Sequence, residues 1–239
     1  MINFNQSKLD IPISIALGVA TKSNKYDDNE KIIEKADNHM YTDKINQGQK
    51  NKNKMIAAML KKLKNKSYEK FTHIKQVKKI AHLIGEKINL NKKRLALLDR
   101  AAYLHDIGML AINDKILNKN AELSIKEWKK IKTHPEIGCR ITDITERYSN
   151  ISDIILNHHE NWDGSGYPNG IKKENIPLCA RIIRIADAFD VMLHNQVYKE
   201  KITKQEAIEE LKSKSGIEFD PKLVSIFINQ VLPNLDITP

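Results

Sequence analysis

From Met55 onward, apolar residues recur every three or four positions, a period that points this part of the chain towards a helical bundle. Ile56, Met59, Leu60 and Leu63 form one stripe, and Ile74, Val77, Ile80, Ala81 and Ile84 a second. Leu95, Leu98, Ala101, Ala102 and Leu104 form a third, and no convincing alternating strand interrupts them. Helix starts are written in the same language. Ser124-Ile125-Lys126-Glu127 and Thr203-Lys204-Gln205-Glu206 have capping-box spacing, and Asp220-Pro221 sets a capping carboxylate before a first-turn proline. The expected fold class is mainly α, a compact bundle over about Met55 to Val231.

The first fifty residues read differently. Ile13, Ile15, Leu17 and Val19 alternate with Ser14, Ala16, Gly18 and Ala20, the period-2 pattern of a half-buried strand over Ile11 to Ala20. Beyond a polar loop at Thr21 to Asn29, Ile32, Ile33, Ala36, Met40 and Tyr41 fall at helical spacing. One strand and one helix cannot bury a core alone, so this piece is expected to be a fragment of a larger domain or a docked appendage. Gly48 and the polar run Gln49-Lys50-Asn51-Lys52-Asn53 mark the expected boundary, dividing the chain into 1–52 and 53–239.

With 41% hydrophobic and 29% charged residues over 239 positions, the make-up is that of a soluble globular protein. No apolar run approaches the roughly 18 residues of a membrane span. Met1-Ile2-Asn3-Phe4-Asn5-Gln6 lacks the basic and apolar parts of a signal peptide, so the expected compartment is the cytoplasm. The formal charge of +10 favours anionic partners, yet the lysines are spread along helical stretches without interleaved aromatics. No DNA or RNA polymer is expected as a partner. Cys139 and Cys179 lack metal-type spacing and read as small hydrophobes.

Eight residues carry candidate chemistry: Glu69, His73, His105, Asp106, His134, His158, His159 and Asp187, all imidazole or carboxylate. Glu69 and His73, four apart, share one helix face and can reach a common metal. Neighbours such as His105-Asp106 or His158-His159 diverge by about 100° on a helix, which suits adjacent metals better than one. A carboxylate in such a pair can bridge two ions about 3.5–4 Å apart, the separation used for in-line attack on phosphate esters. Ligation by nitrogen and oxygen alone fits Fe, Mn, Ni, Co or Zn. Each residue taken singly has a plainer explanation: Glu69 as a solvated helix carboxylate, His134 as a helix N-terminal residue, Asp187 as a locally hydrogen-bonded polar group. Taken together, five of the eight histidines fall in four short segments with carboxylate companions, which points to a metal-dependent hydrolase. His39, His82 and His194 lie in no cluster and are assigned structural roles.

The order of these segments carries a resemblance. His73, then His105-Asp106-Ile107-Gly108, then Thr133-His134-Pro135-Glu136-Ile137-Gly138, then His158-His159-Glu160 through Gly166-Tyr167-Pro168, then Ala186-Asp187-Ala188-Phe189-Asp190, resembles the HD-GYP subfamily of HD-domain phosphohydrolases over about residues 55–238. The resemblance implies an HD-domain bundle hydrolysing cyclic di-GMP to linear pGpG or GMP. It implies two or three divalent metal ions, commonly iron or manganese, with Glu69 marking the three-metal type. On this reading Asp106 is the bridging ligand and, with His105, catalytic, while His134, His158, His159, Asp187, Glu69 and His73 complete the shell. Tyr167 shapes the base pocket and Lys199 contacts substrate. Ile13 to Ala20 followed by Ala36-Asp37, Met40-Tyr41, Lys44 and Gly48 is similar to the closing strand and helix of a GGDEF diguanylate cyclase domain. The catalytic part of such a domain is missing, so residues 1–52 read as a truncated remnant and 53–239 as the HD-GYP domain.

Two positions depart from the subfamily pattern. Met109 stands where a lysine follows the His-Asp-Ile-Gly run, and Gln196 where an arginine is usual, while Lys199 remains basic. Each lost charge-assisted phosphate bond amounts to roughly 1.5–3 kcal/mol. Two alternatives to a cyclic di-GMP phosphodiesterase follow: a cyclic di-GMP receptor that keeps metal and fold without turnover, and a hydrolase of another cyclic dinucleotide or phosphoester. The expected partner is a cyclic dinucleotide, with a homodimer as a further option.

Overall fold

A computed structural model describes residues 16–22, 24, 28–66, 68–194 and 201–235. The chain divides into two compact units, Met1–Met55 and Ile56–Pro239. The first is built on the part of α1 (Asn29–Lys66) up to Met55, and the helix starts where the Asp28 carboxylate accepts the Glu30 amide at 3.0 Å. Residues 16–22 run along this helix. The Leu17 amide donates to Asp43 at 3.3 Å, and the Val19 carbonyl accepts from His39 Nδ1 at 2.9 Å.

The expected strand does not form over its described part. Residues 16–20 have no strand partner among the described residues, and Leu17 and Val19 are each 72% exposed. Alternation alone cannot stabilise a strand whose amides and carbonyls find no ladder. Ile11 to Ile15 lie outside the described residues. α1 continues unbroken through Gly48 and the polar run to Asn53, because one interior glycine costs a helix only about 1 kcal/mol.

The second unit is a bundle of α2 (Tyr68–Lys87), α3 (Lys92–Leu104), α4 (Asp114–Leu117), α5 (Ile125–Ile131), α6 (His134–Asp143), α7 (Glu146–Leu156), α8 (Leu178–Leu193), α9 (Lys204–Ser213) and α10 (Pro221–Ile226). Both capping boxes form, Ser124 with Glu127 and Thr203 with Glu206, and Asp220 accepts the Lys222 and Leu223 amides. α8 is the centre: Ile182, Ile183, Ile185, Ala186 and Phe189 are fully buried. Around it, the stripes anticipated on α2 and α3 bury Val77, Ala81, Ile84, Leu98 and Ala101. Phe189 meets Phe227 edge to face at 4.9 Å between centroids. α6 packs on α7 and on the 3-10 turn Ile107–Ala111, which brings the ends of α3, α6 and α7 together. None of the described helices is long and apolar enough to cross a membrane.

Candidate metal centre

The ligand candidates sit at helix ends, where chain direction changes and side chains can converge. His105 follows α3 directly, Asp106 opens the 3-10 turn, His134 is the first residue of α6, and His158 and His159 lie in the turn after α7. His73 and Asp187 come from the bodies of α2 and α8. Gly108 permits the convergence, because a Cβ there would lie 2.0 Å from the His134 carbonyl oxygen.

Two groups of donor atoms result, each with its atoms within 4.8 Å of one another: Asp106, His134, His158 and His159, and His73, His105 and Asp106. Asp106 belongs to both. Its Oδ1 lies 3.3 Å from His134 Nε2 and its Oδ2 3.7 Å from His105 Nε2. Asp187 lies beside the second group, with Oδ1 3.3 Å from His73 Nε2 and 4.0 Å from His105 Nε2. The expectation that His158 and His159 serve different metals does not hold for this geometry. They lie in a turn rather than a helix, and their rings converge to 4.1 Å within one group.

Three imidazoles are oriented by the same device. Nδ1 of His105, His134 and His158 donates to the carbonyl three residues earlier, Ala102, Ile131 and Ile155, at 2.8, 2.8 and 2.6 Å. A carbonyl only accepts, so Nδ1 carries the hydrogen, and in the neutral ring each Nε2 turns a bare lone pair to the centre. The lone pairs of His134 and His158 then face each other at 3.2 Å, and the buried Nε2 of His105 has no hydrogen-bond partner. Facing lone pairs repel unless a cation stands between them, so the donors fit a divalent metal.

The electrostatics agree. Burial, then the neighbouring imidazoles, pushes His158 down to about 3, and burial likewise lowers His134 and His159. These rings are neutral at ordinary pH, as ligation requires. Burial opposes ionisation of Asp106, yet the imidazoles of His105, His134, His73 and His158 outweigh it and hold its carboxyl well below the usual range. Asp187 is held low in the same way by His73. For His73 burial is again outweighed, here by hydrogen bonds to Asp187 and Asp190, which raise it to about 10.

The motif around Tyr167 is shaped by its own loop. Glu160, 2% exposed, accepts the Asn169 and Gly170 amides at 2.6 and 3.1 Å. The loop is also tied to residues 217–218 through the Trp162 and Asp163 amides, and Arg184 bonds Glu218 at 2.7 Å. Tyr167 stacks on His159 with centroids 5.0 Å apart. Burial raises its hydroxyl above the ordinary phenol range.

The structure thus brings together His73, His105, Asp106, His134, His158, His159, Asp187 and Tyr167. The Glu69 side chain, Gln196 and Lys199 lie outside the described residues. Sequence reasoning gave no role to Asp190, whose Oδ2 holds His73 Nδ1 at 2.7 Å; its place one turn after Asp187 on a helix was the available signal. His82 pairs with Asp99 at 2.8 Å, and His39 and His194 bond backbone carbonyls, as their structural assignment requires. Cys179 is buried and Cys139 half-buried, both free.

Comparison with known proteins places this architecture. Residues 35–223 match the HD domain. The 3'3'-cGAMP-specific phosphodiesterase 2 of Vibrio cholerae is 36% identical over 169 residues, 68% of this chain and 32% of that protein. A cyclic di-GMP phosphodiesterase of Thermotoga maritima is 37% identical over 164 residues, 67% of this chain and 44% of that protein. The crystal structure of a cyclic GMP-AMP specific phosphodiesterase of V. cholerae aligns with TM-score 0.51 and 27% identity, over 68% of this chain and 44% of that one. The chain therefore spans less than half the length of these relatives.

Proposed function

Since this chain belongs to the HD-domain family, we propose that it is a metal-dependent phosphodiesterase of the HD-GYP type, cleaving cyclic di-GMP to linear pGpG or GMP. The observation that carries this reading is the carboxylate of Asp106 shared between two donor groups. A shared carboxylate suits a pair of ions clamping one phosphate. Two or three divalent ions, iron or manganese, are the expected cofactors, held by His73, His105, Asp106, His134, His158, His159 and Asp187, with Glu69 as a further ligand. When bound, they neutralise charge on the phosphate and lower the pKa of attacking water. The protein's part is positioning. Backbone carbonyls aim the imidazoles, Asp190 and Asp187 hold His73, and Tyr167, stacked on His159, shapes the base pocket. We further read residues 1–52 as a GGDEF remnant, 53–239 as the HD-GYP domain and the cytoplasm as the compartment.

A second substrate is favoured by one observation: a relative 36% identical is named for 3'3'-cGAMP. The same experiment addresses both. Protein loaded with iron or manganese without oxygen is incubated separately with cyclic di-GMP and 3'3'-cGAMP, and products are resolved by chromatography against Asp106→Ala. Conversion of cyclic di-GMP that vanishes in the variant supports the first reading, and conversion of 3'3'-cGAMP alone the second. Metal-replete protein that leaves both nucleotides intact overturns both readings in favour of a receptor or a hydrolase of another phosphoester.

A further inference from the structure

We propose that Lys132 is a substrate-binding residue of this site, its ammonium receiving the phosphate of a cyclic dinucleotide that is not being cleaved. The proposal rests on the phosphodiesterase reading above. A cyclic dinucleotide carries two phosphodiesters, and one clustered set of ligands can clamp only one of them. The other is a permanent anion that must be held farther out, and a charge-assisted hydrogen bond is the strongest means. Met109, three residues after Asp106, has a thioether that cannot supply it.

Lys132 is placed to do so. It ends α5 two residues before His134, and its amide is anchored to the Trp128 carbonyl at 2.9 Å. Its side chain reaches across to the loop after α7, putting Nζ 5.1 Å from the centroid of Tyr167. Tyr167 in turn stacks on His159. Tyr167 therefore links the two, touching His159 of the metal centre and carrying the Lys132 ammonium over its ring. Among the described residues no carboxylate pairs with it. Two arginines near the same loop differ: Arg184 is bonded to Glu218 at 2.7 Å and Arg181 to Asp220 at 2.6 Å. An exposed ammonium steadied over a ring, with its donors unclaimed by protein carboxylates, suits an incoming phosphate.

The test compares wild type, Lys132→Ala and Lys132→Arg, each metal-loaded, on cyclic di-GMP and on bis(4-nitrophenyl) phosphate. The second compound has one phosphate and engages only the metal centre. Lys132→Ala is expected to raise KM for cyclic di-GMP roughly 10- to 100-fold with little change in kcat, to leave the small diester unaffected, and to be rescued by arginine. An unchanged KM for cyclic di-GMP overturns the proposal. An equal loss on both substrates also overturns it, since Lys132 would then only support the backbone before His134. Should wild type cleave neither compound, the phosphodiesterase reading fails, and calorimetric titration of cyclic di-GMP decides Lys132 separately. Weaker binding by Lys132→Ala alone supports the assignment; equal affinity, or none in either protein, ends it.

Discussion

Replacing Gly108 by alanine perturbs the metal centre without touching a ligand. The added Cβ would lie 2.0 Å from the His134 carbonyl oxygen and 2.8 Å from the Gly138 amide nitrogen. Both are backbone atoms, so neither can rotate away. Non-bonded carbon contacts are comfortable near about 3.5 Å, so the 3-10 turn and the start of α6 must separate by roughly 1 Å or more. Overpacking of this kind costs about 1–3 kcal/mol. For a chain of this size that lowers Tm by roughly 2–12 °C. The same retreat carries Asp106 away from His134, now 3.3 Å apart, and should weaken metal binding about 10- to 100-fold. Scanning calorimetry of the metal-free protein reads the first effect and manganese titration the second. Gly48→Ala is the control: nothing lies within 4 Å of its added Cβ, and alanine should stabilise α1 by about 0.5–1 kcal/mol. A Gly108→Ala protein with unchanged Tm and metal affinity would refute the close-approach argument.

Other consequences can be measured alongside. Asp190→Asn removes the carboxylate that holds His73 Nδ1 at 2.7 Å, and metal affinity in the His73 pocket should fall about 10- to 100-fold while the helical circular dichroism persists. Because His73 is raised to about 10, it is protonated at neutral pH in metal-free protein and must release that proton to bind. Affinity in that pocket should therefore climb roughly tenfold per pH unit towards about 10. The pocket of His134, His158 and His159, whose rings are pushed low, should bind almost independently of pH near neutrality; parallel titrations at several pH values separate the two. In the metal-free chain the raised His73 stabilises the fold fully below its ordinary value, and this contribution is lost as pH rises through about 10. Glu160→Ala leaves the Asn169 and Gly170 amides without their acceptor and should cost about 1–3 kcal/mol in a urea melt.

Much of the bundle was legible because its signals are local. The stripes on α2 and α3, the two capping boxes and the Asp220 cap depend on residues three or four apart, and all appear as read. The strand over Ile11 to Ala20 was different in kind. Alternation states a preference, but a strand needs a partner, and Leu17 and Val19 instead face solvent. Within the site, the donor residues that converge could be read from residue type and clustering, whereas their grouping could not. His158 and His159 share one pocket because α7 stops at Leu156, and a helical angle no longer separates them. Asp190 and Lys132 escaped for another reason: each matters through a partner far along the chain, His73 and Tyr167, and no local pattern encodes such pairs.

The carbonyl ties on three imidazoles have a consequence for how the protein would take up a metal. Donor atoms anchored to the main chain are already in place when folding ends, so an arriving ion finds a mould and need not organise one. Exchange of one bound ion for another would then proceed without rebuilding helices. Which metal the protein carries should follow the supply around it, and a shift in that supply would change its chemistry while leaving its shape alone.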